Sequence, residues 1–359
     1  MISLKGNIIN FDESFYGEIL FNEKINKINK VKKQSEDLII PGFIDLHCHG
    51  ANGFDTMDGW NSIKKMTNYH LKNGTTTILP TTWTSTLEHT FEALREFENY
   101  KKINSNIIGV HLEGPFINPN KLGAQPPLAI NPSIEYVNQL QDLAPIKVIT
   151  LAPELDSMES FIEEINKLGI KIQIGHSLAD YNCCAKFMSK YEIGFTHLYN
   201  AMSGNHHRMP GVLEAALELG DFAEIICDFN HVSEASIKIA KKCIKNLYAV
   251  TDSMGATGLE NGVYKFFGKN IKKNEKIAVV TDTNTLAGSI INMYETFINL
   301  IKISFSLNDA IKMTSYNAAK YLERNDIGHI AEGKKSNILV LDKTLKIKEI
   351  YLNGIKIDD

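Results

Sequence analysis

Much is missing from this sequence, and each absence closes off a class of protein. No Cys-x-x-Cys pair occurs, and the cysteines, Cys48, Cys183, Cys184, Cys227 and Cys243, are odd in number. That usage fits neither a disulfide framework nor a cysteine-based zinc finger, and it leads us to expect a reducing compartment, the cytoplasm. No apolar run approaches the roughly 20 residues that span a bilayer. Residues 1–10 alternate like a short strand and lack an apolar signal-peptide core. No Gly-x-Gly-x-x-Gly follows an apolar run, which counts against a dinucleotide-binding open sheet. Basic charge is not in excess: 38 Lys and Arg stand against 42 Asp and Glu, for a net charge of -4. Such a chain has no general affinity for nucleic acid or anionic membranes. Arginine is especially scarce, with only Arg95, Arg208 and Arg324. Repeats and low-complexity tracts are also absent.

What remains is an ordinary globular composition, 43% hydrophobic and 22% charged over 359 residues, with room for one large domain and a smaller one. Apolar or β-branched runs at 38–46, 75–80, 107–112, 146–151, 170–174, 193–196, 224–227 and 247–251 alternate with helical patterns, among them 60–73, 86–101 and 157–168. Alternation of this kind implies a parallel sheet, and eight units over this length predict a (β/α)8 barrel of the TIM type. A doubly wound open sheet is the alternative. The eighth unit carries an excursion over 256–285 with glycine turn signals, and helices near 290–303 and 307–322 follow. Residues 1–37 and 326–359 read instead as short strands and turns. We expect them to pair into a small discontinuous β domain, leaving 38–325 as the barrel.

The stretch Ile40-Pro41-Gly42-Phe43-Ile44-Asp45-Leu46-His47-Cys48-His49-Gly50 organises the rest. In a strand, residues two apart share a face, so His47 and His49 can reach one metal ion. The later strands end in more residues of the ligand type: His111 and Glu113 on strand three, His176 on five, His197 on six, Asp228 and His231 after seven, and Asp252 on eight. Active sites of such barrels sit at this rim. Imidazoles and carboxylates bind Zn2+, Fe2+ or Mn2+ at about 2.0–2.2 Å. A catalytic site of this kind leaves room for a water whose pKa the metal lowers to roughly 7. Asp252 beside it can take the proton and return it to a leaving amine. The composition is that of a metallohydrolase, but it does not name the bond cleaved. Other polar residues carry plainer expectations. His111 reads as a hydrogen-bonded core histidine, Asp45 as an orienting group for an imidazole, Asp228 and Glu154 as loop caps and Cys48 as packing. His70 and His89 read as solvated on helices. His206, His207 and His329 are expected to have no role.

At this point the chain resembles the amidohydrolase superfamily and, within it, the N-acetylglucosamine-6-phosphate deacetylases. The motifs that carry the resemblance are the strand-one stretch, His111-Leu112-Glu113-Gly114-Pro115-Phe116, Gly175-His176-Ser177, Thr196-His197-Leu198-Tyr199-Asn200-Ala201-Met202, Asp228 to His231, Val250-Thr251-Asp252 and Leu286-Ala287-Gly288-Ser289. The resemblance implies hydrolysis of the N-acetyl group of N-acetylglucosamine 6-phosphate, and a small β-sandwich built from both ends of the chain. It implies that Glu113, His176 and His197 hold the main metal and that Asp252 is the acid and base. Asn200, Ala201, Ala124, Gln125, Leu286, Ala287 and Gly288 would contact the sugar. His47 and His49 are kept here, which implies one or two divalent ions per chain. Gln125 stands where some members have histidine to polarise the acetyl carbonyl. Arg208 and His231 would bind the phosphate, the arginine reaching in from a neighbouring subunit, which implies a homodimer.

Two competitors remain. Another amidohydrolase, acting on a cyclic amide or a different N-acetylated sugar, often uses a modified lysine on strand four, yet this strand ends in Ala152-Pro153-Glu154. A catalytically silent sugar-phosphate sensor on the same scaffold has no use for Asp252 as a proton carrier.

Overall fold

The computed structural model describes residues 1–32, 35–97, 106–266 and 268–358. Eight apolar runs form the parallel strands Phe43–Cys48, Thr75–Thr82, Val110–Glu113, Ile146–Leu151, Lys171–Ile174, Ile193–Phe195, Phe222–Ile226 and Asn246–Val250. Every residue of the first two is buried, as strands covered on both faces require. The first six pair side by side in chain order, and the last two pair with each other. Two seams close the ring. Between strands six and seven, Leu198 N–H donates to Glu224 O at 2.9 Å. Between eight and one, Asp252 N–H donates to His47 O at 2.8 Å, and Cys48 bridges to Ser253. The expected eight-stranded barrel is therefore formed.

Helices cover its outside with one apolar stripe each. In Met158–Lys167 the buried residues are Met158, Phe161, Ile162 and Ile165, which is the three-four spacing of one helix face. The main core lies between these stripes and the strands, with Ile149, Leu151, Phe161, Ile172 and Phe195 among its members.

Residues from both ends of the sequence build a seven-stranded sheet, in the order Ile355–Lys356, Ile347–Leu352, Ile338–Leu341, Leu38–Pro41, Ile2–Ile9, Ser14–Phe21, Ile25–Lys30. Its own core holds Ile8, Ile19, Phe21, Ile39, Ile338 and Tyr351. The strand expected to run unbroken over 38–46 is interrupted at Gly42. Leu38–Pro41 pairs antiparallel with Ile338–Leu341, whereas Phe43 onward pairs with Thr75–Thr82. The passage from sheet to barrel thus falls at Gly42, not between 37 and 38. There a Cβ would lie 2.1 Å from Thr76 Oγ1, so only glycine fits.

The excursion over 256–285 is a three-stranded antiparallel meander, Gly262–Phe266, Lys269–Lys273 and Ala278–Val280. The helix expected over 307–322 contains a π-helical turn at Lys312–Tyr316. The helix expected over 86–101 is seen as Leu87–Leu94, and its end from 98 lies outside the described residues. No described helix is long and apolar enough to cross a membrane.

Candidate active site and metal centre

Glu113 ends strand three and stands between two pairs of imidazoles. Its Oε1 lies 3.1 Å from His176 Nε2 and 3.0 Å from His197 Nε2. Its Oε2 lies 3.1 Å from His49 Nε2, while His47 Nε2 is 3.5 Å from Oε1. Within each pair the Nε2 atoms face one another at 3.1 Å. Two groups of three follow, His47–His49–Glu113 and Glu113–His176–His197, with the carboxylate common to both.

The far side of three of the four rings decides what this convergence means, the Nδ1 of the fourth, His197, having no hydrogen-bond partner among the described residues. His47 Nδ1 is 2.9 Å from Glu224 Oε2, His49 Nδ1 is 3.1 Å from Thr81 O, and His176 Nδ1 is 2.8 Å from Lys121 O. All three partners are acceptors, so each Nδ1 carries a hydrogen, and each ring in its neutral form turns a lone pair toward Glu113. Lone pairs facing lone pairs and a carboxylate at about 3 Å are repulsive unless a cation sits among them. The donor set of imidazole and carboxylate suits a divalent transition ion or zinc. Without such an ion His49 is drawn toward its charged form: burial disfavours the charge, but Asp252 and Glu113 push its pKa up to about 9.

Asp252 follows strand eight, with Oδ1 3.3 Å from His49 Nε2 and 3.5 Å from His47 Nε2. Burial pushes its carboxyl up, yet the adjoining His47 and His49 hold it below the usual range. The backbone is strained at three of these positions, with φ of +49° at His176, +28° at His197 and +47° at Asp252. Left-handed backbone of this kind in non-glycine residues is costly and clusters at functional sites.

A cavity of about 330 Å³ opens over the group. Its lining includes His49, Glu113, Ala124, Gln125, His176, His197, Asn200, Ala201, His231, Asp252, Leu286, Ala287 and Gly288. Of the residues expected to hold metal, carry the proton or contact the substrate, two are not part of this wall, His47 and Arg208. His47 lies behind His49. Arg208 is exposed on its loop, its Nη1 2.9 Å from His207 Nε2, and does not reach its own chain's cavity.

His231 Nδ1 lies 2.7 Å from Asp228 Oδ2 and its Nε2 2.9 Å from Ala287 O. Both partners accept, an arrangement that favours the protonated ring. Burial lowers its pKa, but Asp228 more than compensates and raises it. Gln125 is committed at both ends of its amide: Oε1 accepts from Thr84 N–H at 2.7 Å, and Nε2 donates to Glu113 Oε2. It clamps the bridging carboxylate, which is a different task from polarising a carbonyl.

Several residues behave otherwise than expected. His70 is fully buried, not solvated, with Nε2 3.2 Å from Cys48 Sγ and 3.1 Å from Ser253 Oγ. Cys48 therefore takes part in hydrogen bonding and is more than filler. Asp45 does not orient an imidazole. It accepts from Thr251 Oγ1 at 2.6 Å and so ties strand one to strand eight. His111 is the core histidine expected, between Leu46 O and Thr150 Oγ1. Sequence reasoning missed Glu224, whose only signal was one acid inside the apolar run Phe222–Ile226, and Trp83, whose ring stacks on His49 at 4.0 Å.

A model described as the amidohydrolase family matches residues 38–356. The chain belongs to the amidohydrolase family. A Bacillus subtilis (strain 168) relative named N-acetylglucosamine-6-phosphate deacetylase is 34% identical over 333 residues, covering 89% of this chain and 84% of that protein. An Escherichia coli O157:H7 relative named N-acetylgalactosamine-6-phosphate deacetylase is 29% identical, covering 90% and 89%. The crystal structure of N-acetylglucosamine-6-phosphate deacetylase from Thermotoga maritima superposes with a TM-score of 0.92 at 32% identity, covering 99% of both chains. The barrel with its attached seven-stranded sheet is thus a fold that this amidohydrolase shares with the Thermotoga maritima deacetylase along its whole length.

Proposed function

We propose that the chain hydrolyses the N-acetyl group of N-acetyl-D-glucosamine 6-phosphate, giving acetate and D-glucosamine 6-phosphate in amino-sugar catabolism. The observation that carries the reading is Glu113 shared between two imidazole pairs, with Asp252 beside them at the base of the cavity. In this reading Glu113, His176 and His197 hold one divalent ion, Zn, Fe or Mn, and His47 and His49 with Glu113 hold a second. A divalent ion there supplies positive charge that acidifies water and polarises the acetyl carbonyl. Asp252 accepts the proton of the attacking water as the new C–O bond forms. It then donates that proton to the sugar nitrogen as the C–N bond breaks. Gln125 holds Glu113 in place, and Asn200, Ala201, Ala124 and residues 286–288 enclose the sugar.

His231 on the cavity wall is the ring that the resemblance assigns to the phosphate, which its Nε2–H would reach by leaving Ala287 O. Arg208 does not reach its own cavity, which supports a homodimer in which each copy lends this arginine to its partner. Free thiols at all five cysteines fit a cytoplasmic setting. A second reading, the galactose epimer as substrate, is favoured by the Escherichia coli relative's name. Acetate release from the two 6-phosphorylated epimers, compared as kcat/KM, decides between them. Chelation should abolish turnover and an added divalent ion should restore it, whereas full activity in metal-free protein refutes the proposal.

A further inference from the structure

Glu224 is fully buried on the strand Phe222–Ile226, whose other residues are Phe, Ala and Ile. Among the described residues its carboxylate is met by donors: His47 Nδ1–H at 2.9 Å, Gln173 Nε2–H at 3.0 Å, His197 N–H at 3.3 Å and the Tyr248 hydroxyl. Among the described residues no lysine or arginine forms an ion pair with it. A buried carboxylate so placed is ionised by its hydrogen bonds yet lacks a fixed countercharge, which is costly unless positive charge lies close by.

We propose that Glu224 is a positioning residue, fixing the His47 ring so that its Nε2 lone pair is presented to a cation at the His47–His49 end of the site. The inference rests on the two-ion reading above. Its ground is a difference among the rings. His49 and His176 donate from Nδ1 to main-chain carbonyls, Thr81 O and Lys121 O, whereas His47 alone donates to a carboxylate. A carboxylate behind an imidazole locks its tautomer and raises its basicity as a ligand. The charge count agrees. Three buried carboxylates, Glu113, Glu224 and Asp252, lie within 3.5 Å of the nitrogens of the single His47 ring. One divalent ion leaves that group net negative, and a second removes the deficit. Glu224 is thus the acid that calls for the second ion while touching neither ion nor substrate.

The test uses the full-length chain stripped of metal and titrated with Zn2+ against a chromophoric chelator. Wild type should bind two ions, and His47→Ala should lose one. Glu224→Gln, which keeps the shape, should weaken that same ion by about 10–100-fold and leave the other unchanged. The retained ion also reports that the variant is folded. Glu224→Asp, which keeps the charge but withdraws it from Nδ1, should show the same defect if the glutamine variant fails to fold. The double variant with His47→Ala should be no worse than His47→Ala alone, since Glu224 acts only through that ring. If His47→Ala costs an ion and neither Glu224 variant weakens it, the role of Glu224 falls while the two-ion reading stands. If His47→Ala leaves ion binding unchanged, both fall.

Discussion

His176, His197 and Asp252 each hold a left-handed backbone at the point where their side chains converge. Asparagine tolerates that conformation better than most residues. Asp252→Asn should therefore fold as well as wild type and keep its metal, yet lose turnover by about 10²–10⁴-fold, the usual worth of one acid–base group. Turnover and metal analysis on the same preparation check this, and wild-type turnover would remove Asp252 from the mechanism. His176→Ala and His197→Ala should lose metal and activity together. These residues were legible because strand-end positions and short motifs mark them. His70 was not, although the spacing Ile63, Met66, Thr67, His70 places it on the buried face of the helix Trp60–Lys72. Polarity argued for solvent, but the thiol and hydroxyl awaiting it come from segments distant in sequence.

Among the elements, the barrel strands were legible because most of their residues are buried and their runs are largely apolar or β-branched. The meander over 262–280 was not. The strand Gly262–Phe266 has no fully buried residue and contains Gly and Lys, so glycine turn signals dominated its pattern. It nonetheless touches the site: Lys269 Nζ donates to Ala124 O at 2.9 Å and Gln125 O at 3.3 Å. Lys269→Met should free the loop that carries the clamp on Glu113 and raise KM several-fold, with thermal stability little changed. Kinetics beside a melting curve separate these effects. The break at Gly42 was equally hidden, because one apolar run spans two sheets. Gly42→Ala should cost at least the ~1–3 kcal/mol typical of overpacking, read as a lower denaturant midpoint with an unchanged slope.

For the whole molecule, the alternation of strands and helices foretold the barrel, and the resemblance foretold which rim residues would meet. The alternation says nothing of contact between copies, which the resemblance alone raised, because a sequence's periodicities report only the folding of its own chain. Arg208 carries that question. Arg208→Ala should lower kcat/KM for the phosphorylated sugar far more than for free N-acetylglucosamine, since only the former loses a charge-assisted pair. An unchanged ratio of the two would place phosphate recognition elsewhere. The seven-stranded sheet has a different consequence, one of timing. A ribosome releases Leu38–Pro41 early, but the strand that covers one edge of it, Ile338–Leu341, follows roughly three hundred residues later. Throughout that interval a short, apolar edge stands open beside a growing barrel, and open edges recruit other chains. Nascent chains halted before residue 338 should accordingly accumulate on chaperones or in inclusion bodies even where the barrel segment is complete.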